Sequence, residues 1–176
     1  MATTNDVFGR AAAVDDSQAG RTAYSYYADG QLLSVTVFSP NELVDPYRET
    51  SYGYDALGRN TSIVDSVAGT TSFSFDHRGR RTSLTDSVDN TTSWTYDQLD
   101  QVVTETDPLA AERSFRYDRS GNLVRAVDRL GRTIDYTYDA AGGRTKELWF
   151  APSEAPEIPV ALGGDDANAI RTFTYV

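Results

Sequence analysis

Along most of the chain, large apolar residues alternate with small or polar ones. Tyr52-Gly-Tyr54, Phe73-Ser-Phe75, Trp94-Thr-Tyr96, Phe115-Arg-Tyr117 and Tyr136-Thr-Tyr138 are five such runs. A period of two marks a strand with two unlike faces, each pair of rings on one of them. Each run ends in an aspartate, and these aspartates fall at 55, 76, 97, 118 and 139, always 21 residues apart. Three residues on comes glycine (Gly58, Gly79, Gly121, Gly142), except that Asp100 holds the slot after Asp97. Asp bonds the backbone ahead of it, and Gly supplies the positive φ that closes a type I turn with a bulge. Asp55, Gly58, Asp76, Gly79, Asp97, Asp118, Gly121, Asp139 and Gly142 are therefore the expected turn set. A second β-like run follows, such as 60–64 or 122–127, and then a second aspartate at 65, 86, 107 or 128, again 21 residues apart.

The pattern reaches both ends. Tyr24-Ser-Tyr26 opens an earlier copy with Tyr27 in the aspartate slot. Asp6-Val-Phe-Gly-Arg10 matches the second half of another, and Thr172-Phe-Thr-Tyr175 matches an opening strand. The expected fold is all-β: a single array over 1–176 of about seven 21-residue β-hairpin repeats. It runs as a long antiparallel meander of about fourteen strands, forming a curved or spiralling sheet, because open sheets that long curl. Spacing is stretched by insertions near 39–47 and 151–169. The second, with Pro152, Pro156 and Pro159, reads as a loop leaving the sheet, since proline removes ladder donors. A helical turn is expected around 165–169.

These residues resemble the YD-repeat, or Rhs (rearrangement hotspot), family, whose motif runs Tyr-x-Tyr-Asp-x-x-Gly-Arg-Leu. Tyr54-Asp55-Ala-Leu-Gly58-Arg59 and Tyr117-Asp118-Arg-Ser-Gly121-Asn122-Leu123 carry it best. The Arg slot is looser, holding Arg10, Arg59 and Arg80 but also Gln31, Gln101, Asn122 and Gly143. The family includes bacterial Rhs toxins, insecticidal toxin-complex shells, wall-associated proteins and teneurins. The resemblance implies a β-strip coiled into a hollow shell, in a secreted or cell-surface protein. The self-cleaving Asp-Pro-rich segment of toxin members is not found here.

Composition narrows the chemistry. The absence of Cys excludes disulfides, thiolate zinc and Cys nucleophiles, and a single His excludes a multi-histidine metal site. A formal charge of −10 argues against a nucleic-acid partner. No apolar run approaches the ~20 residues of a membrane span, and residues 1–16 hold no leader-like apolar stretch of ~7–15. The chain is then cytoplasmic, already processed, or an excerpt. Basic residues are fifteen Arg and one Lys, a bias given no function. Regular aspartates suit turn capping better than calcium or a carboxylate pair. His77 sits in a turn, where an exposed side chain is the default. Asn60-Thr-Ser62 and Asn90-Thr-Thr92 are sequons that short polar loops produce by chance.

The expected role is a non-enzymatic scaffold without cofactor or metal, a shell segment that encapsulates or displays a partner. Partners would be further repeats of this or a neighbouring chain, carbohydrate, or an enclosed polypeptide. One alternative is a carbohydrate-binding adhesion module using the aromatic face of Tyr52, Tyr54, Phe73, Phe75, Trp94, Tyr96, Phe115, Tyr117, Tyr136 and Tyr138. The structural reading is that these rings stack on one another across strands. The other alternative is a self-assembling extracellular fibre, because the two terminal half-repeats are complementary strands.

Overall fold

A computed structural model describes residues 1–16, 20–39, 42–155, 157, 159–164 and 166–175, with backbone alone at 42–46. The described residues form fifteen strands. They fall into two compact units, Met1–Thr91 and Thr92–Val176. The first holds β1 (Ala2–Asn5), β2 (Ala11–Asp16), β3 (Gly20–Tyr26), β4 (Leu32–Ser39), β5 (Glu42–Tyr54), β6 (Asn60–Asp65), β7 (Gly69–Phe75) and β8 (Arg81–Thr85). The second holds β9 (Thr91–Tyr96), β10 (Val102–Thr106), β11 (Glu112–Tyr117), β12 (Leu123–Val127), β13 (Thr133–Tyr138), β14 (Arg144–Phe150) and β15 (Arg171–Thr174), with β9 starting at the boundary. Within each unit every strand pairs antiparallel with the one before it, giving the meander that the repeat predicts.

One turn generates most of the connections. The Asp55 N–H donates to the Arg59 carbonyl at 3.0 Å, and the Gly58 N–H returns to the Asp55 carbonyl at 2.9 Å. Asp55 Oδ1 then accepts the N–H groups of Leu57 (2.9 Å) and Arg59 (3.1 Å). Asp6, Asp76, Asp118 and Asp139 repeat all four bonds. So do the second aspartates Asp86, Asp107 and Asp128, so both ends of a repeat use one device. Where Tyr27 replaces the aspartate, Asp29 Oδ1 takes the Gln31 N–H at 3.1 Å instead. The pairing register slips by one residue beside these turns, as between Gly53 and Tyr54, which is the bulge the turn demands.

The first insertion does not leave the sheet. It prolongs the hairpin of β4 and β5, with Phe38 opposite Pro46 and Ser39 opposite Glu42 across two register shifts. The helical turn falls at Val160–Leu162, earlier than expected, where the Gly163 N–H closes on the Val160 carbonyl. Asp165 lies outside the described residues.

Very little is buried. Among the described residues of the first unit, Ala13 is the buried apolar residue. In the second, Val124, Leu148 and Phe150 are buried together with Pro159. A two-faced sheet with so small a core depends on its ladder and its turns. The glycine slot is therefore a sensitive position. Gly58 has φ +77°, and a Cβ there would stand 2.8 Å from Nε2 of Gln31. Ala110 holds the same slot at φ +61°. A left-handed residue bearing a Cβ is disfavoured by about 1–2 kcal/mol, against roughly 0.5–1 kcal/mol for the extra freedom glycine loses on folding. Gly58→Ala should lower stability by about 1–2 kcal/mol, and Ala110→Gly should raise it by up to about 1 kcal/mol. Urea unfolding midpoints moving in opposite directions would bear this out; a shared direction would refute the turn account.

Candidate functional site

The residue after each glycine slot stitches one repeat to the next. The turn first closes on itself: Arg59 Nε bonds Asp55 Oδ2 at 2.6 Å, and Arg10, Arg80 and Arg132 do the same to Asp6, Asp76 and Asp128. Asn90 and Asn122 make the shorter version to Asp86 and Asp118. Some of these side chains then reach forward. Arg59 Nη1 donates to the Asp76 carbonyl at 2.8 Å, Gln31 Nε2 to that of Gly58 at 3.0 Å, and Gln101 Nε2 to that of Gly121 at 3.1 Å. Gln101 fits less well than Arg, because its buried Oε1 has no partner among the described residues.

The aromatic pairs stitch backwards. Tyr26, Tyr117 and Tyr138 donate their hydroxyls to the carbonyls of Ala11, Val102 and Leu123, each 15 residues earlier, at 2.8–3.0 Å. Burial pushes the Tyr117 and Tyr138 phenols up. Tyr27 and Tyr54 meet edge to face at 6.0 Å. Elsewhere a guanidinium covers the ring: Arg59 lies 4.9 Å from the Phe75 centroid, Arg10 4.3 Å from Tyr26, and Arg144 4.9 Å from Tyr136. The rings of the aromatic set are half-buried in every copy. Ring-on-ring stacking is thus supplemented by an interleaved arginine that the loose Arg slot concealed. The signal was present: Arg, Gln and Asn all place planar N–H donors at one position. Fifteen arginines against one lysine fit that need.

The opposite face carries hydroxyl pairs, Ser25–Ser34, Thr95–Thr104 and Thr137–Thr145, at 2.6–2.8 Å. One copy departs: Arg116 pairs with Arg125, and Arg125 with Asp135. Arg125 and Asp135 are buried, joined by Nε–Oδ1 at 2.6 Å and Nη2–Oδ2 at 2.8 Å. Register places Asp135 opposite Leu148 and Thr133 opposite Phe150, so these side chains share a face. The second insertion folds back onto it. The Val160 N–H caps Asp135 Oδ2 at 2.9 Å, while Arg116 and Arg125 donate to the Glu157 carbonyl at 3.3 and 3.5 Å. Pro159 is buried beneath, and the chain rejoins the sheet where the Ile170 N–H bonds the Trp149 carbonyl at 2.7 Å. The excursion is anchored by a buried ion pair.

His77 is exposed in its turn. No group of three or more His, Cys, Asp or Glu that could hold a metal occurs among the described residues. No described helix is long and apolar enough to cross a membrane.

Antiparallel hairpins with a recurring turn, joined edgewise by turn and ring bonds, define a β-repeat array. The chain belongs to the family described as Teneurin YD-shell, whose model matches residues 9–147. Two solved structures share its fold. One is the crystal structure of TcdB2-TccC3-Cdc42, at 18% identity and TM-score 0.66, over 86% of this chain and 9% of that one. The other is the Photorhabdus luminescens Tc holotoxin pore with a TccC3 mutation, at 18% identity and TM-score 0.64, over 93% of this chain and 9% of that one. The chain therefore spans about 9% of the length of those proteins. No curated protein sequence matches it.

Two predictions follow from the bonds of this seam and its insertion. The Asp76 carboxyl is held at about 2; burial raises it, but bonds from the Arg80 guanidinium, the Arg80 N–H and the Arg78 N–H outweigh that. Bonds from Thr50, the Ala68 N–H and Arg48 hold Asp65 well below the usual range, and Asp86 and Asp118 are lowered by their asparagine partners. Carboxyls depressed in the folded state contribute stability above their unfolded pKa of about 4, lost as pH falls towards the folded value. Unfolding midpoints should be flat from pH 7 to about 5 and drop steadily towards about pH 2. Asp76→Asn should remove part of that slope, and a profile unchanged by acid would contradict the seam. The second prediction concerns the insertion. Asp135→Ala leaves Arg125 buried without its carboxylate and should cost about 3–5 kcal/mol, most of it recovered in Arg125→Met/Asp135→Leu. Limited proteolysis should cut within 151–169 in the single variant first; equal protection in both proteins would mean that the pair does not anchor the insertion.

Proposed function

We propose that this chain is a non-enzymatic length of wall, a single continuous array of repeats from a hollow β-shell that encloses a polypeptide. The seam carries this reading. Arg59, Gln31 and Gln101 each donate to the turn of the following repeat, and Tyr26, Tyr117 and Tyr138 donate to the preceding one. A repeat bonded on both sides adds to a growing wall without a new kind of contact. Membership of the YD-shell family and the likeness to Tc toxin proteins support it. In this reading the turn set from Asp55 to Gly142 fixes the pitch, and the aromatic set from Tyr52 to Tyr138 holds neighbouring repeats together. The parent protein acts outside the cell or at its surface.

Sugar recognition is disfavoured by the same bonds. A sugar stacks on a free ring face, whereas Arg59 lies over Phe75 and Arg144 over Tyr136. Cryo-electron microscopy of the parent protein should show the segment as part of a closed wall around protein density. An open sheet with solvent on both faces would overturn the shell. Saturable glycan binding abolished by Trp94→Ala would restore the carbohydrate reading.

A further inference from the structure

One turn in the array lacks both of its donors. Position 143 is glycine where Arg10, Arg59, Arg80 and Arg132 stand in equivalent turns. Asp139 Oδ1 still accepts the N–H groups of Ala141 and Gly143, at 2.9 and 2.8 Å. No described side chain donates to its Oδ2, the oxygen that receives Nε of Arg at 2.6–2.7 Å in those four turns. The donor from the preceding repeat is missing too. It should come from Asn122, but that side chain is short and its Nδ2 is committed to Asp118 Oδ2 at 2.9 Å. Nothing lies within 4 Å of a Cβ built on Gly142. In the corresponding places at Gly58, Gly121 and Gly79, the preceding repeat's nitrogen stands at 2.8, 3.4 and 3.9 Å.

The space so vacated is an open polar cavity of about 680 Å³, with Asp118, Asn122, Tyr138, Asp139, Gly142 and Ala161 in its walls. Ala161 belongs to the second insertion, so the excursion anchored at Asp135 forms one side of it. The groups left without a described protein donor are acceptors: Asp139 Oδ2, and the Gly142 carbonyl, whose equivalents at Gly58 and Gly121 are served by Gln. Tyr138 occupies the slot in which Phe75 lies under the guanidinium of Arg59. A planar cation with several donors meets all of these demands, and a guanidinium has five N–H groups in a fixed fork. An ammonium is a compact point donor and matches the paired acceptors less well. A net charge of −10 favours the approach of a cation.

We propose that the cavity between the turns of Asp118 and Asp139 is a socket for an arginine side chain of a partner polypeptide. It recognises from outside the group that the repeats elsewhere supply to themselves. The inference does not depend on what the wall encloses.

The test uses the full chain, ¹⁵N-labelled, and blocked arginine (N-acetyl, N-methylamide) as probe. The amides of Ala141, Gly142 and Gly143 should shift saturably, with a dissociation constant on the order of 1 mM, typical of one charged side chain in a wet site. Blocked citrulline, the same shape without charge, should bind at least about tenfold more weakly, as expected for loss of a charge-assisted pair. Gly143→Arg fills the socket from within and should weaken the probe by a similar factor while Tm holds or rises. Its backbone is already suited, since residue 143 has no positive φ and the nearest obstacle to a Cβ is a side-chain atom, Oδ2 of Asp139, at 2.9 Å. Asp139→Asn should weaken binding equally and guards against a folding defect in the first variant. Shifts scattered over the acidic surface, equal binding of citrulline, unchanged binding to both variants, or no saturation at about 10 mM would each overturn the socket.

Discussion

A carboxylate that accepts two backbone N–H groups ahead of it is the contact on which this protein rests. Each hairpin end brings amide groups to a point where no further strand can bond them. Asp Oδ1 satisfies two of them at once, as at Asp55 with Leu57 and Arg59. The same closure forces a bulge, and the bulge aims the next side chain along the seam. Oδ2 then orients that side chain, so that in Arg59 one nitrogen is held by Asp55 while another reaches the carbonyl of Asp76. Pitch, turn and lateral adhesion thus come from one residue type at one position.

Stability distributed in this way differs from that of a globular core. With Ala13 the buried apolar residue among those described in the first unit, the hydrophobic contribution there is spread over half-covered rings and aliphatic stems. Each repeat is held by its neighbours, and a defect at one turn is felt chiefly by the adjoining copy. The second unit adds a different solution. The row Arg116, Arg125 and Asp135 replaces the hydroxyl pairs of other copies, and the second insertion closes over it with Pro159 buried. A bidentate ion pair desolvated under that cover fixes where the insertion lands, because Asp135 Oδ2 needs the Val160 N–H to complete its bonds.

The parts of this architecture legible in the sequence are those written locally. Alternation over five residues, Asp-x-x-Gly and a constant spacing give strands, turns and antiparallel pairing, because both partners of each contact lie within one hairpin. Contacts between hairpins were harder to read. The position after the glycine looked degenerate as a residue identity, although Arg, Gln and Asn share a donor geometry. Asp89 and Ala110 adopt the left-handed region without glycine, so these second turns carried a weaker signature although their bonds are the same. The insertion's course depends on a face of β12 and β13 remote in sequence. Its one local clue, two arginines and an aspartate in hydroxyl slots, has meaning only once the register sets Arg125 opposite Asp135.

A wall made of interchangeable units cannot be specific through what its units share. The seam bonds that satisfy one repeat satisfy all, and a partner facing them meets donors and acceptors already paired. Specific recognition requires a copy in which a bond is left open or a surface is added. Gly143 opens one by removing the side chain that would serve Asp139, and the 151–169 insertion adds the other by placing Ala161 beside the same gap. The first departure lies at the turn between β13 and β14, and the second between β14 and β15. The repeats provide the common pattern, and the irregular copies are where a bond or a surface differs from it.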